Sequence, residues 1–367
     1  MLWKTKAGFL SLWKRGKGRV FFIVAALMLA LNTASAAELT VLTHASFSLD
    51  KKLIAGFEQQ NGVKIKILKA GDAGETLNKA ILTKSAPVAD VFYGFDNTLA
   101  FRAIQEGILE RYLSPELKNL GANLTLGFNG YATPVDYGYV ALNYDNAFFK
   151  GKALPRSFAE LAAPEFAKLL VVENPATSSP GLAFLLATVA TFGEQGYLDF
   201  WAKLRDGGVR VAAGWEEAYY THFSRSGGDR PLVVSYSTSP AAEVYYSEGK
   251  FKEPPTGNLL FPGSTFFQVE FVGILKGTKN LALAKKFVDW LVSKPVQENI
   301  PTQMWVYPAR LDAALPEVFI KWAEKPKAPA QLAPKTIATS QTRWIDEWTK
   351  VVLQGQSPEA VKRGRGK

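Results

Sequence analysis

From residue 39 onward, short β-rich runs take turns with amphipathic helical stretches, and that alternation limits the fold more than any other feature of the chain. Residues 39–43 are apolar and β-branched, Val63-Lys64-Ile65-Lys66-Ile67 alternates with period two, and residues 90–93 form a third run. Between them Leu53, Ile54 and Phe57 share one helical face, and Leu77, Ile81 and Leu82 another. A β-α-β-α-β order builds a mostly parallel sheet covered by helices on both faces, with ligands at the carboxyl ends of the strands. The expected class is therefore α/β.

After Tyr131 the sequence turns extended and aromatic, from Thr133 to Asn143, and a second α/β series begins. Its strands are expected at 169–173, 209–213 and 231–236, and its helices at 180–192, 198–204, 216–223 and 241–247. A further extended run at 266–275 leads into a helix at 281–292 whose Phe287, Trp290 and Leu291 form an apolar stripe. The runs near 134–140 and 264–270 read as strands linking two lobes, so that the chain leaves lobe one, builds lobe two and returns. The expected organisation is a leader at 1–36, lobe one at 37–134 plus 268–367, and lobe two at 135–267. Residues 325–335, rich in Pro, Ala and Lys, read as an exposed wrap. It leads to a last helix at 339–353 whose Trp344, Ile345 and Trp348 are expected to cover the first lobe. The closing Lys362-Arg363-Gly364-Arg365-Gly366-Lys367 reads as a solvated charge run.

Of 367 residues, 47% are hydrophobic and 21% charged, enough to close one large core or two ordinary ones. There is no cysteine, which excludes disulfides, thiolate metal sites and a thiol nucleophile, and the only histidines are His44 and His222. The net charge of +10 points toward nucleic acid only if it is spread over the folded chain. Six of the basic residues, with no acid among them, fall in the first 19 positions, before the apolar run 20–31 and the Ala34-Ser35-Ala36 triplet. That order is the signature of a secretory leader, expected to be cut after Ala36, with an uncleaved anchor as the alternative. The remainder then carries 37 basic and 33 acidic residues, a net charge of +4. A nucleic-acid partner is accordingly not expected.

No strand-linked nucleophile elbow, phosphate-binding lysine loop, paired-histidine zinc helix or calcium loop occurs after residue 36. What stands out instead are aromatic and hydroxyl residues where strands should end. Asn174-Pro175-Ala176-Thr177-Ser178-Ser179-Pro180-Gly181 opens a helix, so Thr177 and Ser178 are candidates for an anion site or a plain helix cap. Gly214-Trp215-Glu216-Glu217-Ala218-Tyr219 and Ser235-Tyr236-Ser237 follow neighbouring strands. Trp215, Tyr219 and Tyr236 would then line a cleft suited to a flat or cationic ligand. From the first lobe, His44, Asp72 and Asp96 occupy the equivalent tips, where a carboxylate could neutralise a cation or simply cap a helix.

Through Ala89-Asp90-Val91, Gly94-Phe95-Asp96-Asn97, Val135-Asp136-Tyr137-Gly138-Tyr139, the Thr177, Trp215 and Tyr236 loops, Gln268-Val269-Glu270 and Ile300-Pro301-Thr302 with Trp305-Val306-Tyr307-Pro308, the sequence resembles the periplasmic thiamine-binding proteins of ATP-binding-cassette importers. The resemblance implies a periplasmic-binding-protein-like fold of the class II type. Two lobes would close over thiamine, its monophosphate or its diphosphate as ligand, with no cofactor, no metal and no chemistry. It further implies a monomer in the periplasm that meets the transmembrane subunits of a permease. Site residues carried over are His44 and Trp305 for the rings, Thr177, Ser178, Trp215 and Tyr236 for the hydroxyethyl or phosphate end, and Asp72 in an acidic loop. His44 stands where the family commonly has tyrosine, and Ala242 where a further tyrosine often follows, so a thiamine precursor or relative is also open as the ligand. The alternatives are a ferric-iron receptor using Tyr219-Tyr220 or Tyr245-Tyr246, and a secreted hydrolase of phosphate or sugar esters.

Overall fold

The computed structural model describes residues 37–366. The leader expected at 1–36 lies outside the described residues. The first series is β1 (Ala37–Thr43), α1 (Lys51–Asn61), β2 (Val63–Lys69), α2 (Ala73–Leu82) and β3 (Val91–Asp96). β1 sits between β2 and β3 and is parallel to both. On α2 Leu77 is fully buried, while Leu82 is 84% exposed. Five residues beyond Leu77 is about 140° around a helix, off the face the sequence assigned to it.

Next come β4 (Leu109–Glu110), the 13-residue β5 (Thr133–Asp145), β6 (Leu170–Glu173), α3 (Ser179–Asp206), β7 (Arg210–Ala212), β8 (Leu232–Tyr236) and α4 (Ser239–Tyr246). The chain continues through β9 (Thr256–Leu259), β10 (Phe266–Leu275), α5 (Leu281–Leu291), α6 (Lys294–Gln303), β11 (Tyr307–Pro308), α7 (Glu317–Trp322) and α8 (Pro334–Trp348). The strands run β2-β1-β3-β10-β5-β8-β6-β7, with β4 on β10 and both β9 and β11 on β5. β5 and β10 are antiparallel partners from Thr133↔Val272 to Val140↔Phe266. The far half of β10 pairs with β3, and the far half of β5 with β8. These two long strands therefore join two α/β lobes, as their sequences suggested. The register slips beside Glu270 and Phe271, a bulge that bends the crossover where it passes the site.

The helices expected at 180–192 and 198–204 are the two arms of α3, divided at Gly193, where the backbone leaves helical geometry at φ 66°. α8 corrects a second expectation. Trp344 and Trp348 pack on α3 of the second series, not on the first lobe: Trp348 meets Trp201 edge to face at 5.5 Å, and Trp344 Nε1 donates to Glu194 at 3.0 Å. The terminal charge run is not free either, because Lys362 pairs with Asp199 at 2.9 Å and Arg365 with Glu347 at 2.7 Å. The acids that receive these cations are Asp199 on α3 and Glu347 on α8, and only the fold brings them into reach. α7 likewise packs against α4, so the chain crosses between the lobes a third time after β11. Burying large side chains such as Trp201, Trp344 and Trp348 contributes roughly 1.5–3 kcal/mol each.

Candidate functional site

A cavity of about 600 Å³ lies where the strand tips of the two lobes face each other, a size that suits a small organic ligand. On the first-lobe side β1 ends at Thr43 and the chain turns sharply, with Ala45 N–H donating to the Gly71 carbonyl at 2.7 Å. His44 follows that tip and lies over β3. A Cβ on Gly94, whose φ is +88°, would stand 2.1 Å from His44 Cδ2, so glycine is what admits the imidazole. Asp72 caps α2 by accepting from Ala73 N–H at 2.7 Å, and its other oxygen accepts from Trp215 N–H at 3.1 Å. One carboxylate thus starts a helix of one lobe and ties it to the other.

On the opposite side Trp215 follows β7. Its indole N–H donates to Ser235 Oγ at 2.8 Å, its ring stacks on Tyr219 at 5.2 Å, and Tyr236 meets it edge-on at 6.3 Å. The Tyr219 hydroxyl donates to Glu243 at 3.0 Å. Trp305 sits just past α6 with φ 57°, stacked on Phe319 of α7 and donating its indole N–H to Tyr246 at 3.0 Å. His44, Asp72, Trp215, Tyr219, Tyr236 and Trp305 all line this one cavity, and so does Ala242.

Thr177 and Ser178 do not line it. The Thr177 hydroxyl donates to the Ala213 carbonyl at 2.6 Å, and its own carbonyl accepts from Glu75 N–H at 3.3 Å. A Cβ on Gly74 would lie 2.7 Å from that carbonyl oxygen, so the start of α2 covers this loop. Ser178 is buried with its hydroxyl unpartnered, and Ser179 is the residue that reaches the cavity wall. Sequence reasoning gave no role to Glu216, Arg225, Glu243 or Glu270, which also line the cavity. Glu270 stood in a quoted family word, Gln268-Val269-Glu270, but its strand reads as plain buried β, which hides a functional carboxylate.

Glu270 anchors an ionic chain beneath the cavity. Its Oε1 lies 3.4 Å from His44 Nε2, and the Tyr93 hydroxyl stands 3.4 Å from its other oxygen while donating to Asp136 at 2.7 Å. Burial pulls the His44 pKa down, but the Glu270 charge more than restores it, leaving the imidazole above its ordinary value. Burial pushes Glu270 up, and His44 outweighs that, holding it below the ordinary carboxylate range. Asp136 goes the other way, pushed well up by burial and then by the Glu270 charge. The floor therefore favours the proton on His44 and on Asp136 and the charge on Glu270. Asp96 is buried beside it, pushed up to about 6 by desolvation against the hydrogen bonds from Thr98 and Gln268. Glu173, at the end of β6, is buried with both oxygens unpartnered, and burial followed by the Asp72 charge pushes it well up.

Aromatic faces opposite carboxylates can hold a flat cationic molecule. The tyrosine pairs weighed for ferric iron are otherwise engaged: Tyr219 binds Glu243, and Tyr245 and Tyr246 pack on Trp305. No cluster of His, Asp and Glu that could hold a metal occurs among the described residues. No described helix is long and apolar enough to cross a membrane.

The thiamine-binding periplasmic protein of Salmonella typhimurium is 32% identical to this chain over 319 residues, 86% of this chain and 93% of that protein. A solved periplasmic thiamin binding protein superposes with a TM-score of 0.76 at 30% identity, covering 86% of this chain and 96% of that one. Iron-bound HitA from Pseudomonas aeruginosa shares the fold, with a TM-score of 0.67 at 20% identity over 85% of this chain and 99% of its own. These relatives are binding proteins. Residues 86–330 match the bacterial extracellular solute-binding proteins, and with a two-lobed fold and an interlobe cavity to go with that match, the chain belongs to this family.

Proposed function

We propose that this protein is the receptor of an ATP-binding-cassette importer, closing over thiamine or one of its phosphates without changing it and delivering it to the membrane subunits of a permease. The observation that carries this reading is the convergence of Trp215, Tyr219, Tyr236 and Trp305 with His44 and Asp72 on one cavity, in a chain related to thiamine-binding proteins. Thiamine offers two flat rings, one of them a fixed cation, which aromatic faces and carboxylates complement. His44 and Ala242 in place of tyrosines remove aromatic surface, at about 0.5–1.5 kcal/mol per lost stacking pair.

The moving bodies are 37–134 with the return segment from 268, and 135–267, hinged on β5 and β10. α8 travels with the second body because it packs on α3. The receptor works as a monomer in the periplasm once its leader is removed. Native mass spectrometry of freshly purified protein, followed by calorimetric titration with thiamine, its monophosphate and its diphosphate, tests the reading. A retained mass of thiamine or a phosphate, with heat on titration, is expected. Absence of heat and of tryptophan fluorescence change with all three compounds would sink it.

A further inference from the structure

We infer that His44 makes capture of the ligand an exchange of cation for proton: the ring cation settling beside it drives the imidazolium proton out to solvent, so affinity for thiamine rises with pH through the neutral range. This deepens the thiamine reading above and rests on it. One N–H bond of His44 breaks, its proton passes to water or buffer, and the ligand is unchanged.

His44 lines the interlobe cavity yet is only 8% exposed, so water and salt screen its charge poorly. From β10, Glu270 faces its Nε2 at 3.4 Å, and that nitrogen has no other partner among the described residues. From β3 the Tyr93 ring lies 5.9 Å away, its hydroxyl kept uncharged by burial. Asp72 at the start of α2 attracts the proton, and Lys69 at the end of β2 opposes it. The facing lobe brings Glu216, which accepts from Ser46 on the same turn at 3.3 Å. The end of α6 brings only the neutral Gln303 and Met304, both to Ser48. Glu270 and Asp72 therefore hold a proton on His44 in the unliganded receptor, against the cost of burial.

A ring cation entering the cavity sets a second positive charge against that proton. Like charges in one buried site disfavour each other, and only one of these two can be given up. The thiazolium charge is permanent, whereas the imidazolium proton is not. When it leaves, Glu270 keeps its charge and is still held by Tyr93 and Asp136, so the floor presents a carboxylate to the cation through a neutral ring. Asp96 and Asp136 also carry protons toward neutral pH, but neither lines the cavity. Arg225, the other basic group on the wall, pairs with Glu243 at 3.4 Å and cannot lose its proton. His44 is left as the group that responds.

Calorimetric titration of the purified receptor with thiamine, in buffers of different ionisation enthalpy near about pH 7, counts the protons released. Between about 0.3 and 1 proton per thiamine is expected, with affinity at least about threefold tighter at about pH 7.5 than at about pH 6. His44→Tyr keeps a ring that titrates only near about 10 and should erase both signals, as should His44→Gln. The chain has only two histidines, so with His222→Gln to assign the remaining ring resonance, nuclear magnetic resonance follows His44 itself, whether or not its own variants fold. Its titration midpoint should drop by at least about half a pH unit on saturation with thiamine, and by less with an analogue carrying a neutral ring in place of the thiazolium. Heat without buffer dependence, proton uptake, a release unchanged in the His44 variants, an unmoved midpoint or an equal drop with the neutral analogue overturns the inference and leaves the thiamine reading standing. Absence of heat with thiamine and both of its phosphates overturns both.

Discussion

On the second lobe Trp215, Tyr219 and Tyr236 meet the cavity as aromatic rings, with Trp215 and Tyr219 each held by a single side-chain hydrogen bond. Under the first lobe, by contrast, the floor is a buried ionic chain from His44 through Glu270 and Tyr93 to Asp136. The two walls fail differently when altered. A ring at the cavity surface gives up contact with the ligand, whereas a buried charge gives up its counter-charge and with it part of the fold. Affinity and stability are therefore separable along the line between the walls.

The largest expected effect lies in the floor. Glu270→Ala strands the buried His44 without its partner and should lower unfolding stability by about 3–5 kcal/mol, read as a shift in urea midpoint. A loss below about 1 kcal/mol would mean that the floor is no more coupled than the aromatic wall.

Next in size is a pH effect of roughly 1–3 kcal/mol between pH 5 and 8. His44 has a folded pKa above its ordinary value, so its contribution is whole below about 6.5 and fades as pH climbs through the raised value. Asp96, pushed up to about 6, holds its proton longer in the folded state than in the unfolded one, so stability falls as pH rises from about 4 to 6. Asp136 acts in the same direction. Glu270, held low by His44, has already ionised in this window and adds no slope. The urea midpoint should decline across the range, and Asp96→Asn should flatten its acidic part. A midpoint that climbs instead contradicts the proton arrangement of the floor.

Trp215→Ala should weaken ligand binding by about 2 kcal/mol, roughly thirtyfold, while moving the urea midpoint by less than about 1 kcal/mol. Titration calorimetry and urea unfolding on the same preparation give both numbers, and equal losses in both would erase the contrast between the walls. The smallest effect belongs to Thr177→Ala. With its hydroxyl turned to Ala213 and not to the cavity, ligand affinity should change by less than about 0.5 kcal/mol.

Much of the fold was readable in the sequence because hydrophobic period and chain order are local. The runs at 39–43, 63–67 and 266–275 became β1, β2 and β10, and the stripe of Phe287 and Leu291 became the buried face of α5. The aromatic half of the site was readable too, since a tryptophan such as Trp215 at a strand tip departs from the usual use of that residue as core filler. The acidic half was not. Glu270 and Asp136 sit in crossover strands that are mostly buried and apolar around them, and their role comes from the approach of strands more than a hundred residues apart. Thr177 and Ser178 were correctly placed at a helix start, but nothing local reveals that Gly74 and Glu75 close over them. Lys362 and Arg365 looked like a solvated tail for the same reason, because their acidic partners, Asp199 on α3 and Glu347 on α8, are brought to them by the fold.

The third crossing has a consequence for the order in which the chain is made. Synthesis delivers α3 early, yet the tryptophans that close its outer face come from α8, and the first sheet waits for β10 to fill the place beside β3. Neither half can finish its core before the last third of the polypeptide has emerged. Contacts so distant along the chain slow the search for the native state.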